Sequence, residues 1–227
     1  MSMTRRLVLF AKPPLPGRAK TRLASEIGAA SAARVAEALL HDTIALCESL
    51  AVRFPGEDPK LVLAYTDQQD WFTPALSHDW RLIEQRGEDL GERIGNALLD
   101  LVADQGDRTI FIGMDCPQMP AERVVEALAA LNDADVVLGP CDDGGYYLIG
   151  MRGELPEGAL DGVRWSTTEA LDDTVSALEA MNLSIAEIAT GYDVDTAEDL
   201  QRLALEMAAD RLDELPNLTK ALADLGL

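Results

Sequence analysis

The chain has 227 residues, of which 40 are acidic and 19 are basic, so that its formal net charge at pH 7 is -21. A charge of this size argues against a nucleic acid or an anionic membrane surface as the partner, because both are themselves negatively charged. The length predicts one α/β domain over residues 1–227, with a core large enough to fold without disulfide bonds.

The cysteines and histidines exclude two further classes of site. Cys47, Cys116 and Cys141 are widely spaced and form no CxxC pair, which predicts neither a disulfide framework nor a zinc site. His41 and His78 each lack a second plausible ligand nearby, so we expect no metal site or nucleophile based on histidine. A reducing cytoplasm is the location that this cysteine usage predicts.

The first motif joins an apolar run to a cationic loop. Residues 7–11 predict a buried strand, and the prolines that follow prevent regular pairing beyond it. The next loop carries cations beside a glycine and ahead of a helical segment, an arrangement suited to holding phosphate. It is not a Walker A loop, since two residues separate Gly17 from Lys20. The predicted phosphate contacts are Lys12, Gly17, Arg18, Lys20 and Arg22.

The stretch Phe10–Leu23, FAKPPLPGRAKTRL, resembles the opening of the radical-SAM/selenodomain-associated transferases, which are glycosyltransferase-like proteins linked to arsenosugar biosynthesis. Its AKTRL core is also similar to that of the 2-phospholactate or phosphoenolpyruvate guanylyltransferases. Both families belong to the nucleotide-diphospho-sugar transferase superfamily. The resemblance therefore implies a GT-A-like, Rossmann-like α/β/α sandwich with a mostly parallel central sheet that binds a nucleotide. The alternative is a solvated basic loop without a ligand.

Alternating hydrophobic patterns support this architecture along the rest of the chain. Strands are predicted at residues 7–11, 61–65, 80–84, 108–112, 134–138 and 183–188, and helices at 29–50, 94–102, 121–131 and 197–208. Thr196 is a predicted N-cap, and residues 210–227 are expected to form a peripheral helical tail.

A second nucleotide contact is predicted after the third strand. Glycines near a strand end permit close approach of a ligand to the backbone. In the families that the chain resembles, this position meets the nucleotide, which implies contacts from Gln85, Gly87 and Gly91 to the base or ribose. A simple turn before the next helix explains the same residues equally well.

The predicted metal ligands are aspartates in two separate motifs. Asp115 follows a central strand, where α/β sheets bind ligands, and its carboxylate suits Mg²⁺ or Mn²⁺ shared with phosphates. Its segment GMDCP resembles the Gly-x-Asp-x-Pro motif of the family. The segment DVDT resembles the Asp-x-Asp-Thr of nucleotidyltransferases, which implies that Asp193 and Asp195 share the ion with Asp115. Carboxylates ~4 Å apart repel by about 4 kcal/mol at an effective dielectric near 20, so such a cluster requires a cation or a proton.

The acceptor side of the pocket is predicted from two later motifs. Paired acids, paired glycines and a β-prone aromatic run in residues 139–150 indicate a loop that leads into a strand, with backbone exposed to a substrate. The family has the same DGGYYLIG segment and a similar Trp-Ser-Thr, which implies the sugar or acceptor side. An acidic hairpin turn is the alternative for the first motif. The predicted substrate contacts are Asp142, Asp143, Gly144, Gly145, Tyr146, Trp165 and Ser166.

These motifs together predict metal-dependent transfer from a nucleotide-activated donor to a small-molecule acceptor. Catalytic roles are assigned to Lys20 and Asp115, which stabilise phosphate charge directly or through the ion, and to Asp143 as a base, with Asp142 as the alternative base. Glycosyl transfer from a nucleotide sugar is favoured because the opening and the DGGYY segment look most like the arsenosugar-associated family. Nucleotidyl transfer from an NTP to a phosphorylated small molecule, with release of pyrophosphate, is the close rival. A nucleotide-binding protein without turnover is a third possibility, and a homo-oligomer stays open.

Overall fold

The computed structural model describes residues 3–53, 59–77, 79–102, 104–209 and 215–226. Within these ranges the strands are β1 (Arg5–Ala11), β2 (Lys60–Tyr65), β3 (Arg81–Glu84), β4 (Arg108–Ile112), β5 (Val136–Pro140), β6 (Tyr146–Arg152) and β7 (Ile185–Glu187). The helices are α1 (Thr21–Ile27), α2 (Ala29–Arg53), α3 (Gln69–Phe72), α4 (Leu90–Leu101), α5 (Ala121–Ala130), α6 (Ala170–Ala180), α7 (Ala197–Ala208) and α8 (Pro216–Leu225). A short 3-10 turn at Thr73–Ala75 follows α3.

The strands form one sheet in the order β3-β2-β1-β4-β6-β5-β7. Among the described strands, β6 alone is antiparallel to its neighbours β4 and β5, and the other pairs are parallel. The predicted Rossmann-like, mostly parallel α/β sheet is therefore confirmed. Helical segments lie in the connections from β1 to β2 and from β2 to β3, since consecutive parallel strands need a long connection.

Alternation along the strands builds one core on each face of the sheet. Leu7 and Leu9 of β1 belong to the apolar cluster that contains buried residues of α2 and α5. Val8, between them, belongs to the cluster that contains buried residues of α4 and α6. Successive side chains of a strand point to opposite faces, so this segregation produces the three layers of the fold.

Backbone hydrogen bonds bring three segments together at the carboxyl edge of the sheet. The backbone N–H of Val194 donates to the carbonyl of Asp115 at 2.9 Å, and that of Leu23 donates to the carbonyl of Asp195 at 3.1 Å. The predicted N-cap Thr196 is confirmed, because its side chain and that of Asp199 form a reciprocal capping box at the start of α7. These bonds fix the loop after β4 and the segment before α7 beside α1.

Helix α8 packs on α2, and a buried carboxylate caps its first turn. Leu218 and Leu222 of α8 lie in one apolar cluster with Leu39 of α2. Asp42 of α2 accepts hydrogen bonds from the backbone N–H groups of Asn217 and Leu218, at 3.1 and 2.9 Å. Because these N–H groups have no partner within their own helix, the cap joins the two helices. The remaining parts of the predicted tail, 210–214 and 227, lie outside the described residues.

The structure agrees with the sequence on the three cysteines, which are all buried and free. His41 stacks on Trp71 with 6.2 Å between ring centroids, and His78 lies outside the described residues. None of the helices in the described ranges combines the length and the apolar character that crossing a bilayer requires.

The cap formed by Asp42 gives a prediction for stability. Asp42→Ala leaves two N–H groups without an acceptor, and loss of such a cap costs about 2 kcal/mol. For a domain of this size the Tm should fall by roughly 4 to 8 °C. Thermal unfolding of the variant and the wild type measures this change in Tm. The matched control is Asp224→Ala, which removes a half-exposed pair with Arg34 on the same two helices and should cost at most ~1 kcal/mol. Equal changes in Tm for both variants would contradict the cap.

Candidate active site

A cavity of about 510 Å³ opens at the carboxyl edge of the sheet. Its charged lining consists of four cations and four carboxylates, which are Lys12, Arg18, Lys20, Arg22, Asp115, Asp143, Asp193 and Asp195. Its neutral lining consists of Thr21, Leu90, Gly145, Tyr146, Trp165, Ser166, Thr167, Thr168 and Ala170. The cavity therefore joins most of the residues that the sequence motifs nominated.

Lys20 lies at the centre of the charged half. Its side chain is only 4% exposed, and its ammonium pairs with the carboxylates of Asp115 and Asp195, the second at 2.8 Å. Burial lowers the pKa of Lys20, but the two carboxylates outweigh it and raise the pKa above its ordinary value. The backbone of Lys20 is left-handed, with φ 47°, which is uncommon outside glycine. The pairing thus holds Lys20 as a buried cation in a strained turn.

The two acids of the DVDT segment have opposite electrostatic environments. Burial raises the pKa of Asp195, but Lys20 outweighs this effect and holds it below its ordinary value. Burial and the nearby carboxylate of Asp115 raise the pKa of Asp193 to about 7. The thiol of Cys141 lies 3.6 Å from a carboxylate oxygen of Asp193. Asp193 is therefore the acid of the cluster with the least compensation of its charge.

The three predicted metal ligands, Asp115, Asp193 and Asp195, all line the cavity. No group of three or more His, Cys, Asp or Glu side chains in the described ranges is arranged to hold a metal ion. Lys20 instead neutralises two of the three predicted ligands. The donor chemistry nevertheless fits Mg²⁺ or Mn²⁺, because such ions are commonly bound by one or two carboxylates together with substrate phosphates. The ion pairs of the described residues leave Asp193 without a cationic partner. The metal site stays a prediction.

The other three cations that line the cavity differ in whether they form an ion pair. Arg18 pairs with Asp67 at 2.8 Å in an exposed contact. Lys12 and Arg22 line the cavity, and neither forms an ion pair in the part of the chain that the structure describes. Gly17 does not line the cavity, and its φ of +77° belongs to the turn in which the N–H of Arg18 donates to the carbonyl of Leu15 at 3.0 Å. Three cations besides Lys20 are thus displayed on one wall.

The predicted base and ribose contacts lie behind the cavity wall. Gln85, Gly87 and Gly91 do not line the cavity. The amide of Gln85 donates to the carbonyl of Ala64 at 2.7 Å, so it joins neighbouring strand ends. A Cβ on Gly91 would lie 3.0 Å from the ring of Trp165, so this glycine lets α4 pack against the wall. Gln85 and Gly87 precede α4, and Gly91 lies in its first turn. Leu90 is the residue of this segment that lines the cavity. The predicted contacts of Gln85, Gly87 and Gly91 to the base or ribose stay a prediction.

The paired acids of the DGGYY motif separate in the structure. Asp143 lines the cavity, and one of its carboxylate oxygens accepts the N–H of Gly145 at 2.9 Å. Asp142 does not line it, because its carboxylate pairs with Arg202 of α7 at 2.8 Å. Arg202 in turn lies 3.6 Å over the ring of Tyr192. Of the two predicted acids, only Asp143 is placed to meet a substrate.

The paired glycines have a packing reason. Gly144 has φ +86°, and a Cβ there would lie 2.1 Å from the carbonyl oxygen of Thr168. Any side chain at this position would push the loop after β5 away from the loop before α6. The close approach brings Tyr146 against Trp165, with an edge-to-face contact of 6.3 Å between ring centroids. Gly144 therefore shapes the neutral wall without lining it.

Sequence patterns missed part of the neutral wall. Thr21, Leu90, Thr167, Thr168 and Ala170 line the cavity without having been nominated. Thr167 is the third residue of the Trp-Ser-Thr motif, from which only Trp165 and Ser166 were predicted, so the motif could have predicted Thr167 as well. Neither Ser166 nor Thr167 caps the next helix, because α6 begins at Ala170 with no side-chain cap. The intervening residues instead form a loop over the cavity.

Comparison with protein families gives one clear match. The family DUF2064, described as uncharacterized proteins conserved in bacteria, matches residues 49–167, which is more than half of the chain. The chain belongs to this family. The matched region includes Asp115 and the DGGYY motif and ends at Thr167. A search of curated proteins finds no match.

Several solved structures share the fold of this chain. A protein from Desulfovibrio desulfuricans G20, provisionally described as a nucleotide-diphospho-sugar transferase, is 29% identical over 99% of this chain and 97% of its own, with a TM-score of 0.80. A cytidylyltransferase from Leptospira borgpetersenii is 12% identical over 98% and 95%, with a TM-score of 0.58. A CMP:2-keto-3-deoxy-manno-octonic acid synthetase complexed with CTP is 14% identical over 91% and 99%, with a TM-score of 0.56. The last two likenesses concern the fold alone. Together these matches confirm the superfamily fold.

The central position of Lys20 leads to a prediction for the protein without ligands. Lys20→Gln leaves Asp115 and Asp195 without their counter-charge. Removing one partner of a buried pair costs about 3 to 5 kcal/mol. The two carboxylates are 31% and 42% exposed, so we expect about 2 kcal/mol and a fall in Tm of roughly 4 to 8 °C.

Arg18→Gln is the matched control, because it removes a cation of the same loop whose side chain is 60% exposed. Its Tm should change by less than about 3 °C. If Lys20→Gln changed the Tm no more than the control, Lys20 would not be the buried partner of the two acids.

Proposed function

We propose that the protein is a transferase that takes a glycosyl group from a nucleotide sugar and passes it to a hydroxyl group of a small molecule, with Mg²⁺ or Mn²⁺ bound at the acidic cluster. The division of charge across the cavity carries this proposal. All four lining cations come from residues 12–22, and the lining residues between 145 and 170 carry no charged side chain. One half suits phosphate and the other suits a neutral hydroxyl compound.

The cationic half fits the phosphates of the donor. Lys12 and Arg22 are exposed and reach the cavity from the same loop as the buried Lys20. A phosphate chain in contact with them would gain charge-assisted hydrogen bonds, each worth about 1.5 to 3 kcal/mol. The protein of 29% identity with the same fold supports a nucleotide as the ligand of this half.

Asp115 and Asp193 are the residues that would hold the divalent ion, with Asp195 beside them. When bound, Mg²⁺ or Mn²⁺ stabilises negative charge on a departing diphosphate. The work of the protein's own residues is to hold the phosphates and to fix the acids in place. The backbone bond between Asp115 and Val194 serves the second purpose, since it joins the two acidic segments.

The neutral half fits an acceptor with hydroxyl groups. Ser166, Thr167 and Thr168 supply hydroxyls, while Tyr146 and Trp165 supply apolar surface of the kind that sugars pack on. In the proposed reaction the acceptor oxygen bonds to the anomeric carbon as the bond from that carbon to the diphosphate breaks. The hydroxyl proton passes to Asp143, and the nucleoside diphosphate leaves.

Nucleotidyl transfer from an NTP is the second candidate, and solved cytidylyltransferases share this fold. Four cations on one loop also suit a triphosphate. Against it, the acceptors of that chemistry are phosphorylated, and the lining residues between 145 and 170 offer them no cation. The narrower membership in the radical-SAM/selenodomain-associated group stays a prediction, as do the cytoplasmic location, the homo-oligomer and the third reading without turnover.

A thermal-shift screen with Mn²⁺ tests the proposal. A ligand at one hundred times its Kd adds about 2.7 kcal/mol to native stability, which for this size is a rise in Tm of roughly 5 to 11 °C. We expect the largest rise with a nucleotide sugar or a nucleoside diphosphate. Turnover of the best donor should then fall strongly in Asp143→Asn and little in Asp142→Asn, whose carboxylate lies outside the cavity.

Two outcomes would overturn the proposal. A larger rise with one NTP, followed by pyrophosphate release when phosphorylated acceptors are added, would establish the nucleotidyl rival. No rise with any nucleotide, in the presence and absence of Mn²⁺, would remove nucleotide binding altogether.

A further inference from the structure

Three arginines lie side by side at the edge of the sheet opposite the candidate active site. Arg5 opens β1, Arg108 opens β4 and Arg152 closes β6. Arg5 is paired in register with Arg108, and Arg108 is paired in register with Arg152. Residues opposite one another on neighbouring strands project to the same face of a sheet. Three guanidinium groups are therefore brought together across three adjacent strands.

The face that receives them carries α2 and α5. Leu7 and Ile110, two residues further along their strands than Arg5 and Arg108, belong to the apolar cluster of that face. A cavity of about 230 Å³ opens there, between the two arginines and apolar side chains that include Leu50. The helix α5 contributes Val124, Val125 and Leu128 to the same lining. The cavity therefore combines a cationic end with an apolar body.

Arg108 has no acidic partner. Its side chain makes no hydrogen bond or ion pair within the part of the chain that the structure describes, and its Nε is buried without an acceptor. Burial lowers the pKa of Arg108, and the positive charges of Arg5 and Arg152 lower it further. Arg152 differs, because Asp135 pairs with it. A buried guanidinium nitrogen without an acceptor is unfavourable, so an anion that accepts from the Arg108 Nε should bind there.

The composition supplies many acidic partners for a cation. The chain has 40 acids for 19 bases. Several arginines of the described chain have such a partner, as in Arg6 with Asp107 and Arg164 with Asp173. Arg108 has none among the described residues, and in this it resembles Arg22 at the candidate active site, where we also expect an anion.

We propose that this cavity binds a small amphiphilic carboxylate, with the carboxylate on Arg108 and an alkyl body against α2 and α5. A guanidinium presents a fork of donors that matches a carboxylate. The volume is below the range of roughly 300 to 1,000 Å³ that drug-sized ligands occupy, which favours a short acid. The seven residues of β1 separate this site from the candidate active site by roughly 20 Å, so it is a second site.

Binding of octanoate to the full chain, with 1-octanol as the uncharged probe, tests the proposal by calorimetry. We expect octanoate to bind the wild type and 1-octanol to bind at least tenfold more weakly. Arg108→Gln should weaken octanoate roughly tenfold or more and leave 1-octanol unchanged. The matched control is Arg123→Gln, which removes a cation of α5 that pairs with Glu126 and does not line the cavity. It should bind octanoate like the wild type.

Several results would overturn the proposal. These are the absence of octanoate binding, equal affinity for octanoate and 1-octanol, unchanged affinity in Arg108→Gln, and an equal loss in Arg123→Gln. Unfolding of the variants provides a second check. Since Arg108→Gln removes a guanidinium whose Nε is buried without an acceptor, its Tm without ligand should not fall below that of the wild type. A fall would show that Arg108 already has an internal partner.

Discussion

The pairing of the Lys20 ammonium with the carboxylates of Asp115 and Asp195 is the interaction on which the candidate site depends. It joins three segments that are distant in the sequence, namely the loop after β1, the loop after β4 and the segment before α7. Backbone bonds from Val194 and Leu23 join the same segments. Because a desolvated lysine requires its counter-charges, the position of each segment depends on the others.

The same pairing also defines the charge balance of the cavity. A phosphate chain that contacts Lys20 would compete with Asp115 and Asp195 for the ammonium, and the acids would then need another counter-charge. Asp193, with its pKa raised to about 7, already lacks one. We therefore assign phosphate binding to the first loop and binding of a divalent ion to the acids. This assignment explains why the cavity is lined by equal numbers of cations and carboxylates.

Much of this arrangement could be predicted from the sequence, because local patterns carry it. Apolar runs identified the strands, and the rule that ligands bind at the carboxyl ends of such strands pointed to Asp115. The resemblance of the DVDT segment then added Asp193 and Asp195, and the cationic loop supplied Lys20. Residues whose partners are distant could not be assigned in this way. Asp142 was expected at the substrate, but its partner Arg202 lies 60 residues away in α7. Gln85 was expected at the nucleotide, yet its amide joins the ends of neighbouring strands.

The most direct measurement is calorimetry of a nucleoside diphosphate and its parent nucleoside, in Mn²⁺, with the wild type and Lys20→Gln. If Lys20 serves the phosphates, the affinity for the diphosphate should fall about tenfold to over a hundredfold, because a charge-assisted contact is lost. The affinity for the nucleoside should stay the same. Equal losses for both ligands, or no loss for either, would contradict the assignment of the first loop to the phosphate chain.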